Sequence, residues 1–192
     1  MSWIPTFRIG FWNAWILLLY YPLHPLFLIL VDKAIGTGEI FKKMGGASSE
    51  QEQKRAYLIY MVILITMLIY SVFLPLKPDT MRFYAGLMIF FIGLVIFLTA
   101  IINIATIPLG QLCTCGVYRY SRHPLYISIL MTFVGVAIAC ASWLFLLMTV
   151  ALISIQIYQV MAEEQDCLKT FGDEYREYMK RTPKWIGIPK SR

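Results

Sequence analysis

The chain has 192 residues, of which 59% are hydrophobic and 15% are charged, and its mean hydropathy is +0.66. A soluble domain of this length carries about 25% charged residues, so the composition excludes an ordinary water-soluble globular protein. The net charge of +6 does not indicate nucleic-acid binding, because the Lys and Arg residues lie in the gaps between apolar runs and form no single basic patch. The composition fits one membrane-embedded bundle of helices.

Apolar runs along the chain predict five transmembrane helices, since about 20 apolar residues cross the hydrocarbon core of a bilayer. The runs are Phe11–Val31, Tyr57–Leu76, Phe83–Ile107, Tyr126–Cys140 and Trp143–Met161. The last two are separated by only Ala141 and Ser142, so we expect them to form a helical hairpin. The polar stretch Glu163–Arg181 spaces its aromatic residues at helical intervals, which predicts a cytosolic amphipathic helix. The expected fold class is an all-α integral membrane protein.

The distribution of basic residues predicts the orientation of these spans. With five spans, all of the 17 Lys and Arg residues except Arg8, Lys77 and Arg82 fall on the same side. The positive-inside rule makes that side cytoplasmic and places the N-terminus outside. The loop 108–122 and the segment after the fifth span are therefore expected to face the cytosol together.

Two polar clusters stand out on this cytosolic side. The first is TCGVYRYSRHPLY, residues 114–126, in which Pro124 suits the first turn of the fourth span and the backbone N–H groups of that turn can hold an anion. The second is the pair Glu163 and Glu164, which needs a nearby cation or a helix that continues, because carboxylates are unfavourable at a helix C-terminus. Arginine and tyrosine residues at a membrane edge are also ordinary anchoring residues, and the two glutamates could simply pair with Arg119 or Arg122.

Other site types are not indicated. Cys113 and Cys115 are one residue apart, which is too close for the usual CxxC metal hairpin, and no pair of histidines accompanies them, so we expect no metal. The glycine-rich motif of the Rossmann fold is missing, which excludes a soluble dinucleotide-binding domain.

The two clusters together resemble a known family. GVYRYSRHPLY is followed, beyond the next two apolar runs, by EEQDCLKTFGDEYREYMKRTPKWIGIP, and this pairing is similar to the isoprenylcysteine carboxyl methyltransferase family. That family includes small prokaryotic members and is related to the phospholipid N-methyltransferases. The resemblance covers Asn103–Pro189. Either half alone would be a weak signal, but the pairing is specific.

The resemblance implies an integral membrane enzyme that uses S-adenosylmethionine without a Rossmann fold. It implies one domain, residues 1–192, with spans 1–3 in residues 1–100 and a cofactor-binding catalytic region in residues 101–192. In such enzymes the loop, the motif and the acidic pair surround the cofactor. The corresponding cofactor-binding residues here are Asn103, Gly110, Gln111, Leu112, Cys113, Val117, Tyr118, His123, Pro124, Leu125, Tyr126 and one of Glu163 or Glu164.

The resemblance also implies the acceptor, which is the α-carboxylate of a prenylated cysteine or another lipid that enters between the helices from the bilayer. A carboxylate is already ionised at neutral pH and needs only a cation to hold it, for which Arg119 or Arg122 is suitable. Prenylcysteine-methylating members carry an Arg about one turn before the acidic pair, a place occupied here by Gln159 with Tyr158 beside it. Arg119, Arg122, Tyr158 and Gln159 are thus the candidate catalytic residues.

Three alternatives stay open at this point. An amine of a phospholipid is one other acceptor, and it would need a base such as His123 or Tyr158. A membrane reductase of the sterol-reductase type would bind NADPH, whose phosphates require more basic residues than Arg119 and Arg122 provide. A non-catalytic membrane adaptor would use both clusters only as interfacial anchors.

Overall fold

A computed structural model describes residues 9–36, 38–41 and 51–189. The elements named here are α1 (Trp15–Leu18), α2 (Tyr20–Ile35), α3 (Gln51–Ser71), α4 (Met81–Thr106), a 3-10 turn (Gly116–Arg119), α5 (Pro124–Ala139), α6 (Trp143–Phe171) and α7 (Asp173–Arg181). Within the described ranges there is no β-strand, only an isolated bridge between Asn13 and Pro75. The all-α prediction is therefore confirmed for these residues.

Among the described residues, four helical segments are long and apolar enough to cross a membrane, namely Trp15–Ile35, Lys54–Ser71, Met81–Thr106 and Trp143–Phe171. Helix α3 exposes Leu58, Val62, Ile65 and Ile69 on its outer surface, as a lipid-facing helix does. The chain is thus a multi-pass integral membrane protein. Helix α5 is apolar but has only 16 residues, so the count of five spans remains a prediction, as does the position of the N-terminus outside.

Glycines bring helices α4 and α5 into unusually close contact. A Cβ atom at Gly86 would lie 2.5 Å from the carbonyl oxygen of Gly135, and one at Gly135 would lie 2.6 Å from the backbone nitrogen of Phe90. Two turns after Gly86 on α4, a Cβ atom at Gly93 would lie 2.9 Å from the Ser128 carbonyl oxygen. Small residues let membrane helices approach backbone to backbone, and here they fix the two ends of the polar loop between α4 and α5.

Polar side chains connect the remaining helices inside the bundle. The Tyr20 hydroxyl donates to Thr132 Oγ1 at 2.8 Å, which joins α2 to α5. The hydroxyls of Tyr21 and Tyr60 lie 2.5 Å apart, and Tyr60 also hydrogen-bonds the side chain of Gln156, which joins α2 and α3 to α6. Interhelical hydrogen bonds of this kind stabilise membrane bundles, because lipid offers no other partners.

The fifth apolar run differs from the prediction at its C-terminal end. We expected the run to end at Met161 and a separate helix to begin at Glu163, but α6 continues without a break to Phe171. Gly172, at φ +54°, ends it, and α7 follows as a helix of nine residues. The helix continues through Glu164 because that carboxylate is paired with cations from elsewhere in the chain.

Candidate active site

The loop after α4 folds back against the end of that helix. Asn103 Oδ1 accepts a hydrogen bond of 3.1 Å from the backbone N–H of Val117. Gly116 has φ +54°, and a Cβ atom there would lie 2.1 Å from the same oxygen, so glycine is required at this position. The 3-10 turn that follows buries Tyr118, whose carbonyl oxygen accepts from the Tyr178 hydroxyl of α7 at 2.7 Å. The loop is thus held by α4 on one side and by α7 on the other.

Glu164 is the centre of a buried charged cluster. Its Oε1 atom lies 3.0 Å from Arg122 Nη1 and 3.1 Å from His123 Nε2, and its Oε2 atom lies 3.0 Å from Lys184 Nζ. The side chains of Glu164, Arg122 and His123 are 12%, 9% and 4% exposed. The polar loop and the acidic pair therefore meet in space, as the two sequence motifs had suggested.

Arg122 retains hydrogen-bonding capacity in this cluster. Within the part of the chain that the structure describes, neither its Nε nor its Nη1 atom has a hydrogen-bond partner, because Glu164 Oε1 lies near Nη1 without the required alignment. A buried N–H donor left unpaired costs about 1–3 kcal/mol. Nη1 is nevertheless ion-paired with Glu164 at 3.0 Å, and Nε and Nη1 do not share one edge of the guanidinium, so Nε is the donor that stays available to an anionic group.

Glu163 differs from its neighbour. Its side chain is 48% exposed, and its Oε2 atom lies 3.8 Å from His123 Nδ1, while the Tyr126 hydroxyl hydrogen-bonds the same carboxylate. No cation pairs with it directly among the ion pairs of the described residues. Glu163 therefore offers a half-exposed carboxylate next to His123 that is available to bind a cationic group.

The segment after α7 also contributes to the site. It lies within the second sequence motif, but none of its residues was among the predicted site residues. The backbone N–H of Arg122 donates to the Pro183 carbonyl oxygen at 3.1 Å and that of Gly187 to the Tyr120 carbonyl oxygen at 3.1 Å, while Ser121 Oγ donates to the Lys184 carbonyl oxygen at 3.3 Å. This segment, residues 182–187, places Lys184 beside Glu164. The only local signal was the break after the predicted helix at Thr182 and Pro183.

Trp185 of this segment lines a small hollow between α5 and α6. Tyr126 and Leu130 of α5 and Ile153 and Gln156 of α6 are among its lining residues. The ring of His123 lies 5.8 Å from that of Tyr126 and 6.2 Å from that of Trp185, centre to centre. The hollow is nearly all apolar, with the Gln156 amide as its polar group, and it adjoins the charged cluster.

The remaining predicted site residues are divided between the cluster and the surface. Pro124 is buried next to His123, and Leu112, Cys113 and Leu125 are half-buried. Gly110, Gln111 and Arg119 are exposed. Gln159 is half-buried and Tyr158 is 43% exposed. Because residues two apart point to opposite sides of a helix, Tyr158 lies away from Gln156. Gln156 is the polar residue of α6 that lines the hollow, and it was not among the predicted catalytic residues.

Metal-binding side chains do not gather at this site. Among the residues described, no group of three or more His, Cys, Asp or Glu side chains has an arrangement that could hold a metal ion. Cys113 is half-buried and Cys115 exposed, and burial raises the pKa of the Cys113 thiol to about 12.

Comparison with known families gives one match to a family model. The model described as phospholipid methyltransferase matches residues 81–174, a range that begins at α4 and ends within α7. It therefore includes the polar loop, both glutamates and the helices that carry them, and it excludes α1–α3 and the segment 182–187.

Two individual proteins are similar to parts of the chain. Methanethiol S-methyltransferase 1 of Bradyrhizobium diazoefficiens is 35% identical over 65 residues, which is 33% of this chain and 22% of that protein. The structure of the eukaryotic intramembrane Ras methyltransferase ICMT (isoprenylcysteine carboxyl methyltransferase) superposes with a TM-score of 0.52 at 22% identity, covering 74% of this chain and 54% of that one. The chain thus spans about half of the length of the first structure it matches and less of the curated relative, and the structural likeness concerns the fold.

Proposed function

We propose that this chain, whose residues 81–174 match the phospholipid methyltransferase family model and whose motifs resemble the isoprenylcysteine carboxyl methyltransferase family, transfers a methyl group from S-adenosylmethionine to an acceptor reached from the bilayer. The single observation that carries this proposal is that the unpaired Nε donor of Arg122 and the half-exposed carboxylate of Glu163 belong to the same cluster around His123. Together they fit a zwitterionic α-amino acid, which is one end of this cofactor.

The cofactor's amino-acid end would lie between these two residues. Arg122 would hold its carboxylate through Nε, and Glu163 would accept from its ammonium group. The other residues of the proposed cofactor site are Asn103, Gly110, Gln111, Leu112, Cys113, Val117, Tyr118, His123, Pro124, Leu125 and Tyr126, as the family resemblance implies. When bound, the cofactor supplies an activated methyl group on a sulfonium, a cation that aromatic faces such as those of Tyr126 and Trp185 favour.

The two glutamates have different roles in this proposal. Both oxygens of Glu164 already face cations of the protein itself, so Glu164 orders the loop and the segment 182–187. Glu163 has an exposed carboxylate and is the residue that binds the ligand. A charge-assisted hydrogen bond contributes about 1.5–3 kcal/mol, which corresponds to about 10- to 100-fold in affinity.

Binding of S-adenosylhomocysteine to the purified protein tests this assignment. We expect Glu163→Gln to weaken binding by about 10- to 100-fold with unchanged thermal stability. Glu174→Gln, the same substitution at an exposed position of α7, is the control and should bind as the wild type does. Equal affinity in Glu163→Gln and the wild type would remove Glu163 from the site, and competition by NADPH instead would favour the reductase alternative.

For the acceptor we propose first the α-carboxylate of a prenylated cysteine. Methyl transfer to a carboxylate is an in-line displacement, in which the protein mainly aligns the two groups and excludes water. With Arg122 assigned to the cofactor and Arg119 exposed, the acceptor's carboxylate would receive hydrogen bonds from the amides of Gln156 and Gln159. The apolar hollow beneath Trp185 would take the part of the prenyl chain next to the sulfur, and the rest would extend into lipid.

A second acceptor is favoured by one observation, the similarity to a methanethiol S-methyltransferase. A small thiol is apolar and uncharged, so it suits a hollow whose lining offers one amide and no cation. A phosphate-bearing headgroup suits it less, because burying an unpaired charge is costly.

The acceptors can be compared directly in one assay. Purified protein in lipid vesicles is supplied with methyl-labelled S-adenosylmethionine and with an S-farnesylcysteine analogue, hexanethiol or phosphatidylethanolamine. We expect label in the first or the second product. Label in phosphatidylethanolamine alone would overturn both acceptor proposals in favour of phospholipid N-methylation, and no transfer to any acceptor would contradict the proposed activity.

A further inference from the structure

His123 lies between two carboxylates that contact its two ring nitrogens unequally. Nε2 is 3.1 Å from Glu164 Oε1, a hydrogen-bonding distance, whereas Nδ1 is 3.8 Å from Glu163 Oε2. The ring is 4% exposed, and its backbone N–H donates to Ser121 Oγ at 3.0 Å. The imidazole is thus fixed in position with one nitrogen bonded and the other free.

This geometry determines which nitrogen carries the proton. Glu164 faces Arg122 and Lys184, and the two cations keep it ionised, so it can only accept hydrogen bonds. The proton of a neutral imidazole must then be on Nε2, and Nδ1 must carry a lone pair. That lone pair points toward the Glu163 carboxylate, which is also only a hydrogen-bond acceptor. Neither group therefore supplies a proton for a hydrogen bond between them.

The surroundings keep the ring neutral. Burial lowers the pKa of His123 below its ordinary value, and Arg122 lowers it further, against the opposing effect of Glu163 and Glu164. The charged and titratable groups that face it are those two glutamates from α6, Arg122 from its own loop and Tyr126 from α5, with Lys184 behind Glu164. At neutral pH the pair His123 Nδ1 and Glu163 Oε2 can therefore accept a proton.

We propose that His123 is the general base that removes the proton from a thiol acceptor, and that Glu164 is the positioning residue that fixes its tautomer. The proposal rests on the proposed methyl transfer and names the acceptor class for which the protein's own residues are suited. A carboxylate acceptor needs no base, so a buried histidine with a fixed free nitrogen would have no chemical task in its methylation.

The step balances in atoms and charge. The S–H bond of the thiol breaks and its proton moves to His123 Nδ1, where Glu163 stabilises the imidazolium. The sulfur's electron pair forms the new bond to the methyl carbon of S-adenosylmethionine as the bond from that carbon to the sulfonium breaks. The products are a methyl thioether, S-adenosylhomocysteine and one proton, which passes to water by way of half-exposed Glu163.

The position of His123 suits this role. Its ring packs against Tyr126 and Trp185, and both of these line the apolar hollow in which the thiol would lie. Its free nitrogen faces Glu163, the residue proposed to hold the cofactor. The base is thus next to both reactants.

The tautomer can be measured without any turnover. The chain has only two histidines, so protein labelled with ¹⁵N-histidine gives two sets of imidazole signals, and His24→Gln assigns them. We expect His123 to be neutral at pH 7 with the proton on Nε2. In Glu164→Gln we expect signals of both tautomers, because an amide can donate as well as accept. A proton on Nδ1, or an imidazolium at pH 7, would overturn the proposal.

The base function is tested by kinetics with two acceptors. General-base catalysis contributes about 10²- to 10⁴-fold, so His123→Gln should lower kcat/KM for hexanethiol at pH 7 by at least about 100-fold. Raising the pH toward the thiol's own pKa should restore part of the rate. The comparison is made at saturating S-adenosylmethionine, because His123 also belongs to the proposed cofactor site.

The S-farnesylcysteine analogue provides the comparison, since any methylation of its carboxylate should be much less sensitive to the same substitution. An equal loss with both acceptors, or no recovery at high pH, would contradict a role as base. If the wild type methylates neither compound, the proposed function fails, while the NMR result still decides whether His123 has the predicted free nitrogen.

Discussion

Replacing Glu164 by glutamine tests whether the buried cluster orders the site. The substitution keeps the size and one oxygen but removes the charge that faces Arg122, His123 and Lys184 at 3.0–3.1 Å. Arg122 would then be a buried cation, 9% exposed, without a counter-charge at contact distance.

The expected loss of stability follows from this geometry. Removing one partner of a buried ion pair costs about 3–5 kcal/mol, and we take the lower end because the amide oxygen still accepts one hydrogen bond. For a chain of this size each kcal/mol changes the Tm by about 2–4 °C. Glu164→Gln should therefore lower the Tm by about 6–12 °C.

Glu163→Gln is the matched control on the adjacent residue. Its carboxylate is 48% exposed, so the loss of its charge should change stability by no more than about 0.5 kcal/mol, or about 2 °C. Both variants are heated in the same detergent, and unfolding is followed by circular dichroism. A fall of less than about 2 °C in Glu164→Gln, or an equal fall in the two variants, would refute the assignment of Glu164 as the structural member of the pair.

Three further outcomes are expected. Gly116→Ala should weaken S-adenosylhomocysteine binding and lower the Tm more than Gly110→Ala, because both residues have positive φ but only the first would collide with a neighbour; equal effects would argue against the contact. N-ethylmaleimide at pH 8 should alkylate exposed Cys115 before Cys113, whose pKa burial raises to about 12, and mass spectrometry would show the reverse order if the loop were folded differently. Because the pKa of His123 is lowered in the folded protein, the folded state binds fewer protons, so the Tm should fall as pH drops below about 6.5; an unchanged pH profile in His123→Gln would contradict this.

The apolar runs predicted the helices well where no long-range ion pair was involved. The run predicted as Phe83–Ile107 is the helix Met81–Thr106, because its boundaries are set by Pro and polar residues nearby in the sequence. The C-terminal end of α6 was predicted wrongly. Two adjacent glutamates in a sequence indicate a solvent-exposed segment, and only the structure shows the cations that pair with Glu164. Lys184, one of those partners, is brought to Glu164 only by the fold.

Part of the site was predicted from the sequence, and two contributions to it were not. The family resemblance is confirmed by the comparisons, and the meeting of the loop with the acidic pair followed from it. The contribution of residues 182–187 could not be predicted, because it depends on backbone carbonyl groups of Pro183 and Lys184 that have no side-chain signature. Gln156 was not selected because the rotation of α6 decides whether Gln156 or Tyr158 faces inward. The sequence alone does not show that rotation.

The glycine contacts between α4 and α5 have a consequence for how ligands reach the site. The loop carrying Arg122 and His123 is anchored at both ends on two helices whose backbones touch at Gly86 and Gly135, so these helices behave as one rigid wall. The segment 182–187, in contrast, is joined to the loop by three hydrogen bonds. Because its Trp185 also lines the hollow, we expect entry of the two reactants to depend on this segment more than on the two glycine-packed helices.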